Sequence, residues 1–260
     1  MDFLSVIILG VLQGVTEFLP VSSSGHLVIG NYLLGIEKSN DILFEVILHL
    51  GTLVAITYYY KKDIKKLSKG VLSFNKESLK YLYLIILATI PAVFVGLVFN
   101  NQIKNLYNIQ SVSIFLLITG VIIFISHFSK EKSINLNPMD VLIIGIAQAF
   151  AILPGISRSG MTITCALLLG INREEGSKFS FIIAIPIIIG AVLLEVVNIN
   201  QIGEVNFTNL VVGFITSSIV GYFSISWLIK IINKLHFWKF SFYCWLLGST
   251  LLLINYYGRS

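Results

Sequence analysis

Apolar residues run along most of the chain in stretches long enough to cross a bilayer. Six of these stretches reach the roughly 17–25 residues that a membrane-spanning helix needs. They lie at about residues 42–60, 81–99, 110–128, 176–197, 208–232 and 240–257. Their length and the scarcity of charges inside them predict six transmembrane helices.

Two further apolar segments, residues 1–35 and 138–171, are interrupted by proline, glycine and serine at residues 20–25 and 154–160. Irregular backbone is tolerated at membrane depth only where protein buries it or where it lines a wet cavity. We therefore interpret each segment as a re-entrant helical hairpin with functional residues at its tip. The alternative is an ordinary kinked span.

Composition and charge support a membrane protein and exclude other classes. The chain is 56% hydrophobic and 12% charged, whereas soluble domains have about 25% charged residues. The net charge of +5 does not indicate a nucleic-acid partner, because the lysines lie in short connections, where they act as topology signals. Cys165 and Cys244 lie in apolar stretches, so we expect neither a disulfide nor a zinc site.

Seven lysines between residues 61 and 80 predict a cytoplasmic basic loop, because basic residues concentrate on that side of a membrane. Following the predicted spans from this loop returns the chain to the cytoplasm near residues 130–132 and 230–239. The first hairpin then enters from the outside, the second enters from the cytoplasm, and both termini lie outside.

The two halves of the chain resemble each other at an offset of 135 residues. The identical pairs include Gly10 and Gly145, Gln13 and Gln148, Ser22 and Ser157, Ser24 and Ser159, and Gly25 and Gly160. We interpret this as a duplication within one polytopic domain of residues 1–260, with repeat 1 at about 1–128 and repeat 2 at about 138–257. The predicted fold is an all-α integral membrane protein with an inverted repeat, each half combining a re-entrant hairpin with three transmembrane helices.

Polar residues in the first hairpin are costly at membrane depth and are therefore candidates for function. Gln13 and Glu17 are four residues apart and share one helix face. Their oxygens suit a hard divalent cation such as Mg²⁺ or Ca²⁺. The alternative for Glu17 is a buried structural ion pair with Arg158.

The serines that follow in the first hairpin have two possible roles. Ser22, Ser23 and Ser24 precede a short helix, so their hydroxyls could cap its free N–H groups. A serine close to His26 could instead be activated as a nucleophile, provided that the imidazole touches its hydroxyl.

The second hairpin contains PGISRSGMT at residues 154–162, a pattern typical of an anion site. Backbone N–H groups at a helix N-terminus bind phosphate, and the planar fork of Arg158 matches phosphate oxygens. The repeat predicts that this segment faces residues 22–26 of the first hairpin. The predicted phosphate-binding residues are Ser157, Arg158, Ser159, Gly160 and Thr162.

The segments LQGVTEFLPVSSSGHL at residues 12–27 and PGISRSGMT at 154–162 resemble the two signature segments of the undecaprenyl-diphosphate phosphatase family, the bacitracin-resistance proteins of bacterial membranes. The resemblance extends through FEVILHLGT at 44–52 and FSFIIAIPIIIGA at 179–191. It implies a hydrolase in the inner membrane that converts undecaprenyl diphosphate to the monophosphate carrier of cell-wall synthesis. It also implies a polyprenyl diphosphate partner and a homodimer.

The resemblance also implies roles for single residues. It places the family's metal-binding motif on Gln13 and Glu17, its serine and histidine on Ser23 and His26, and its phosphate-binding arginine on Arg158. Gln13 stands where some members have glutamate, so it supplies a neutral ligand in place of an anionic one.

Together these observations predict Glu17, Ser23, His26 and Arg158 as the catalytic residues. Ser23 would attack the terminal phosphorus with His26 as general base and acid, while Arg158 and a cation near Glu17 neutralise the phosphate oxygens. His26 or a metal-bound water are alternative nucleophiles. Two other functions are possible: a flippase for the lipid monophosphate with the same layout, and a membrane protein whose polar groups are incidental.

Overall fold

The computed structural model describes residues 1–36, 42–132, 135–198, 206–234 and 236–257, and the regular structure in these ranges is helical. The α-helices, in chain order, are α1 Phe3–Thr16, α2 Ser23–Leu33, α3 Ile42–Tyr59, α4 Lys61–Leu72, α5 Lys76–Val98, α6 Asn100–Lys104, α7 Ile109–Ile125, α8 Pro138–Phe150, α9 Arg158–Leu168, α10 Arg173–Ile182, α11 Ala184–Asn198, α12 Phe207–Asn233 and α13 Phe240–Tyr257.

The predicted spans correspond to long apolar helices. Within the described ranges, the segments that are long and apolar enough to cross a membrane are Lys76–Val98, Ile109–Phe128, Arg173–Val197, Phe207–Asn233 and Phe237–Tyr257. Helix α3 can supply a sixth span, and it continues into α4 with a bend of 76°. The chain is therefore an all-α, multi-pass membrane protein, as predicted.

The segment predicted as a basic loop, residues 61–80, is instead mostly helical. It contains α4 and the first turns of α5, which begins where the Asn75 side chain accepts hydrogen bonds from the backbone N–H groups of Glu77 and Ser78. The prediction of a loop is wrong because lysine and leucine are good helix formers, and Ile64 and Leu67 pack against the apolar core while the lysines of α4 stay on its outer face.

The two interrupted segments form helix pairs. Helices α1 and α2 are separated by residues 17–22, and α8 and α9 by residues 151–157. Both breaks begin three residues earlier than predicted. With 14 and 13 residues, α1 and α8 are shorter than the roughly 17 residues that a span requires. This length fits arms of hairpins, while their entry from opposite sides of the membrane stays a prediction.

Each first arm packs against a long helix from the other half of the chain. Helix α1 packs against α12, and α8 packs against α5. Glycines allow the close approach in both places. A Cβ added at Gly14 would lie 2.9 Å from the backbone oxygen of Ser217, and one added at Gly145 would lie 2.7 Å from the backbone oxygen of Ala88. Each half therefore contributes a long helix that packs against the first arm of the other half's hairpin.

The break of the first hairpin is buried inside the largest apolar cluster of the described residues. Phe18, Leu19 and Val21 are at most 4% exposed and pack with residues of α3, α9, α10, α12 and α13. Because apolar side chains surround it on several sides, this irregular backbone is shielded from lipid. The polar groups beside it are consequently held at fixed positions.

Substitution of Gly14 by alanine should lower the apparent melting temperature of the protein in detergent, because the new methyl group meets backbone atoms of α12 that cannot rotate away. Gly190 in α11 is the matched control, since a Cβ there meets nothing within 4 Å, and alanine favours a helix by about 1 kcal/mol over glycine. We expect Gly190→Ala to melt at the wild-type temperature or above it. Equal melting temperatures for the two variants would contradict the close α1–α12 contact.

Candidate active site

The breaks of the two hairpins meet in the interior, as the repeat predicts. The backbone N–H of Gly155 donates to Ser22 Oγ at 3.1 Å, and Ser159 Oγ donates to the backbone oxygen of Leu19 at 3.0 Å. A Cβ added at Gly25 would lie 3.2 Å from the Gly155 Cα. The two irregular segments therefore form one composite site and not two separate ones.

Serines at equivalent positions of the repeat begin the second arms. Ser22 Oγ accepts a hydrogen bond from the Gly25 N–H at 3.3 Å, and Ser157 Oγ accepts one from the Gly160 N–H at 3.1 Å. The capping alternative is therefore correct for Ser22, and Ser157, which was predicted to bind phosphate, makes the equivalent cap in the second hairpin. These caps also explain why both breaks end three residues earlier than predicted, because α2 and α9 begin directly after the capping residues and so include part of each predicted interruption.

A buried ion pair joins the two hairpins. Arg158 Nη2 donates to Glu17 Oε1 at 2.5 Å, and the two side chains are 12% and 6% exposed. Glu17 follows α1 directly and Arg158 opens α9, so each break contributes one charge. Arg158 Nη1 is buried and has no hydrogen-bond partner within the described residues. Among the described residues, one arm of the guanidinium fork is therefore available for a further acceptor.

The second oxygen of Glu17 accepts hydrogen bonds from a hydroxyl and from a side-chain amide. Ser23 Oγ donates to Glu17 Oε2 at 2.6 Å, and Gln13 Nε2 donates to the same oxygen at 3.1 Å. Gln13 Nε2 also lies 3.4 Å from the hydroxyl of Thr52. The nearest candidate base for the Ser23 hydroxyl is consequently the Glu17 carboxylate.

His26 occupies a different position from the one predicted. Its Nδ1 lies 2.7 Å from the backbone oxygen of Ser22, and its Nε2 lies 2.7 Å from the hydroxyl of Tyr243. Both ring nitrogens are therefore used by groups other than Ser23. The imidazole folds back on the first turn of α2, so it does not contact the Ser23 hydroxyl here, and its predicted role as the base for Ser23 stays a prediction.

The predicted phosphate-binding hydroxyls all make hydrogen bonds to backbone groups within the protein. Ser157 Oγ caps α9 through the N–H of Gly160, Ser159 Oγ donates to the Leu19 backbone, and Thr162 Oγ1 donates to the backbone oxygen of Arg158 at 2.9 Å. The three residues that carry these hydroxyls, Ser157, Ser159 and Thr162, are at most 1% exposed. Of the predicted set, Arg158 is the residue with a buried side-chain donor that has no partner in the described residues, while phosphate binding by the set stays a prediction.

Three residues that the sequence analysis did not single out support the site. His49 Nε2 lies 4.0 Å from Glu17 Oε2 and adds a nearby partner for the carboxylate. Thr52 lies one turn beyond His49 in α3. Thr119 of α7 donates to the Gly155 backbone oxygen at 2.8 Å and accepts from the Ser157 N–H at 3.2 Å. The spacing of His49 and Thr52 on one helix face was a usable signal, whereas Thr119 had none.

The predicted metal ligands have oxygens suited to a hard cation. Gln13 Oε1 is buried without a partner in the described part of the chain, and Glu17 supplies one carboxylate beside it. The described residues contain no cluster of three or more His, Cys, Asp or Glu side chains that could hold an ion alone. Mg²⁺ is often bound by one or two carboxylates together with substrate phosphates. The residues therefore fit a cation that arrives with, or is completed by, a phosphate group.

Fold and site together define an integral membrane protein in which a buried carboxylate, a partly exposed hydroxyl and a largely buried guanidinium group lie where two broken helices meet. The family model described as "Bacitracin resistance protein BacA" matches residues 6–250 of the chain. The chain belongs to this family.

Relatives match almost the whole chain. An undecaprenyl-diphosphatase of Methanosphaera stadtmanae is 40% identical, with 98% of this chain and 99% of the relative aligned. Proteins of the same name from Caldicellulosiruptor bescii and Methanobrevibacter smithii are 39% and 37% identical, and each alignment covers at least 97% of both chains. The similarity therefore extends over both hairpins and all the long helices.

Replacement of Arg158 by methionine should destabilise the protein by about 3–5 kcal/mol, because it leaves the Glu17 carboxylate buried without its main cationic partner. The double variant Glu17→Gln with Arg158→Met removes both charges and should recover most of that loss. Thermal unfolding in detergent measures both effects. If the double variant is as unstable as the single one, the ion pair is not the interaction that holds the two breaks together.

Proposed function

We propose that the protein hydrolyses undecaprenyl diphosphate to undecaprenyl phosphate and inorganic phosphate. This reaction recycles the lipid carrier of peptidoglycan synthesis and confers resistance to bacitracin. The observation that carries the proposal is the buried guanidinium of Arg158, which uses Nη2 to pair with Glu17 and has no partner for Nη1 among the described residues. A buried unused donor of this kind suits an anionic group. The relatives named above, all undecaprenyl-diphosphatases, specify which anion.

Ser23 is the proposed nucleophile. Its hydroxyl attacks the terminal phosphorus, and its proton passes to Glu17 Oε2, with which it already shares a 2.6 Å hydrogen bond. The bond between the terminal phosphorus and the bridging oxygen breaks, so undecaprenyl phosphate leaves and a phosphoserine remains. Water then hydrolyses the phosphoserine and releases inorganic phosphate. In this second step the protonated Glu17 returns its proton to Ser23 Oγ as the P–O bond to the serine breaks, and the two protons of the water leave with the inorganic phosphate.

Arg158 stabilises the charge that the reacting phosphoryl group carries. Its Nη1 donates to a non-bridging oxygen, while the ion pair with Glu17 keeps the guanidinium plane fixed before the substrate arrives. Phosphoryl transfer depends mostly on such positioning and on charge stabilisation in a site that excludes water. Glu17 and Gln13 would hold Mg²⁺ or Ca²⁺, and such a cation would supply additional positive charge for the diphosphate.

The proposed location is the inner membrane of a bacterial cell. The lysines of α4 lie on the cytoplasmic side, both termini lie outside, and the diphosphate reaches the hairpin breaks from the outer face while the polyprenyl chain stays in lipid. A flippase for the lipid monophosphate would need the charge of Arg158 but no activated hydroxyl. The short contact between Ser23 and Glu17 therefore favours hydrolysis.

Purified wild-type protein in detergent should release phosphate from a polyprenyl diphosphate, and Ser23→Ala should lose about 10³-fold or more in kcat, since it lacks the nucleophile. Ser24→Ala is the matched control, because it removes a hydroxyl from the same turn that does not contact Glu17. We expect it to stay within about fivefold of wild type, the effect of at most one weak hydrogen bond.

Acid quenching with substrate labelled on the terminal phosphate locates the nucleophile. Mass spectrometry should find the label on Ser23 of the wild-type protein and nowhere in Ser23→Ala. A label on His26 would identify His26 as the nucleophile in place of Ser23. Release of phosphate without any labelled protein would indicate direct attack by water. An inactive but folded wild-type protein would remove the hydrolase proposal itself.

Chelation tests the cation. EDTA should abolish phosphate release, and added Mg²⁺ or Ca²⁺ should restore it. Gln13→Glu provides an anionic ligand in place of a neutral one, so it should need less cation for half-maximal activity than the wild-type protein. Full activity in EDTA would show that Arg158 alone neutralises the substrate and that Gln13 has a packing role.

A further inference from the structure

Tyr243 of α13 contacts the first hairpin beside the proposed active site. Its hydroxyl lies 2.7 Å from His26 Nε2, and its ring stacks on the imidazole with centroids 5.7 Å apart and planes 10° from parallel. His26 is 4% exposed and Tyr243 is 45% exposed. The next residue, Cys244, places its Sγ 3.7 Å from the backbone oxygen of Pro20. One turn of α13 therefore contacts both the break, at Pro20, and the first turn of α2, at His26.

The partners of the imidazole determine where its protons lie. The backbone oxygen of Ser22 can only accept, so the 2.7 Å contact with His26 Nδ1 requires a proton on Nδ1. In a neutral imidazole the other nitrogen then carries the lone pair. Tyr243 consequently donates its O–H to His26 Nε2. The hydrogen bonds run in one direction, from Tyr243 through His26 to the Ser22 carbonyl.

Ser22 has a backbone conformation that needs this support. Its φ of 70° with ψ of 99° is unfavourable for any residue with a side chain. Hydrogen bonds hold it from both sides. The Ser22 hydroxyl accepts from the Gly155 N–H, and the Ser22 carbonyl accepts from Nδ1 and from the backbone N–H of His26 at 3.1 Å. Ser23 follows directly, so the orientation of the Ser22 peptide sets the direction of the Ser23 hydroxyl.

We propose that Tyr243 is a positioning residue of the diphosphatase site, acting through His26 to hold the strained Ser22 peptide and so to keep Ser23 Oγ against Glu17. This inference rests on the proposed function and assigns His26 a supporting role at Ser22 in place of proton transfer with Ser23. Because Tyr243 does not contact Ser23 or Glu17 within the described hydrogen bonds, its effect on the reaction must pass through His26.

Tyr243→Phe tests the hydroxyl while keeping the stacked ring. A single lost hydrogen bond that positions the nucleophile should lower kcat about tenfold. KM should change little, since the substrate phosphates still meet Arg158. Tyr256→Phe is the matched control in the same helix, with a side chain that is 74% exposed, and it should keep wild-type kcat. Thermal unfolding of each variant shows that any loss is not a loss of folded protein.

A double-mutant cycle with His26→Gln tests the route of the effect. If Tyr243 acts only through His26, adding Tyr243→Phe to His26→Gln should lower kcat no further. An additional tenfold loss in the double variant would overturn the inference, because Tyr243 would then act by another path. Unchanged kcat in the single variant Tyr243→Phe would overturn it as well.

A spectroscopic measurement separates failure of this inference from failure of the proposed function. In protein labelled with ¹⁵N-histidine, the His26 signals are identified by their absence in His26→Gln. The Nε2 resonance should move in Tyr243→Phe and stay in place in Tyr256→Phe. An unmoved resonance overturns the contact whether or not the protein releases phosphate. A moved resonance in a protein without phosphate release supports the contact and rejects only the diphosphatase activity.

Discussion

The ion pair between Glu17 and Arg158 is the interaction on which the site depends. Each charge lies at the break of a different hairpin, and the pair is almost completely buried. A charge in this environment is costly unless it is paired, so neither hairpin can adopt its final position without the other. Backbone groups at the breaks, including glycine N–H groups, have no partner within a helix. The capping serines and the Thr119 hydroxyl make hydrogen bonds to these groups. The requirement to neutralise two charges thus also brings Ser23 to the carboxylate.

The long helices could be predicted from the sequence because bilayer thickness fixes the length of an apolar stretch. The hairpin breaks could also be predicted, since irregular backbone at that depth is rare, but their starts were misplaced by three residues. Proline and glycine mark an interruption without showing which residue caps the next helix. Residues 61–80 were predicted as a loop because their lysines indicate topology, although the same lysines are compatible with helix α4.

Only part of the site was predictable from the sequence. Contacts between residues close together in the chain were predicted more readily than contacts between distant residues. Gln13, Glu17 and Ser23 lie on neighbouring turns, and the pairing of Glu17 with Arg158 follows from the rarity of buried charges. The contacts of His26 could not be predicted, because a separation of three residues from Ser23 does not show which way a ring turns. Tyr243 contacts His26 across 217 positions of sequence, and no local pattern connects a tyrosine in an apolar helix to that contact.

The packing of each first arm against a helix of the other half has a consequence for biosynthesis. Helix α1 packs against α12, whose first residue follows the end of α1 by about 190 positions. At about 5–20 residues per second, translation alone separates the two by roughly 10–40 s. During that interval Gln13 and Glu17 lack the surface that will bury them, and Arg158 appears before α12 does. The first hairpin therefore lacks both its α12 contact and the Arg158 partner of Glu17 until most of the second half has been synthesised.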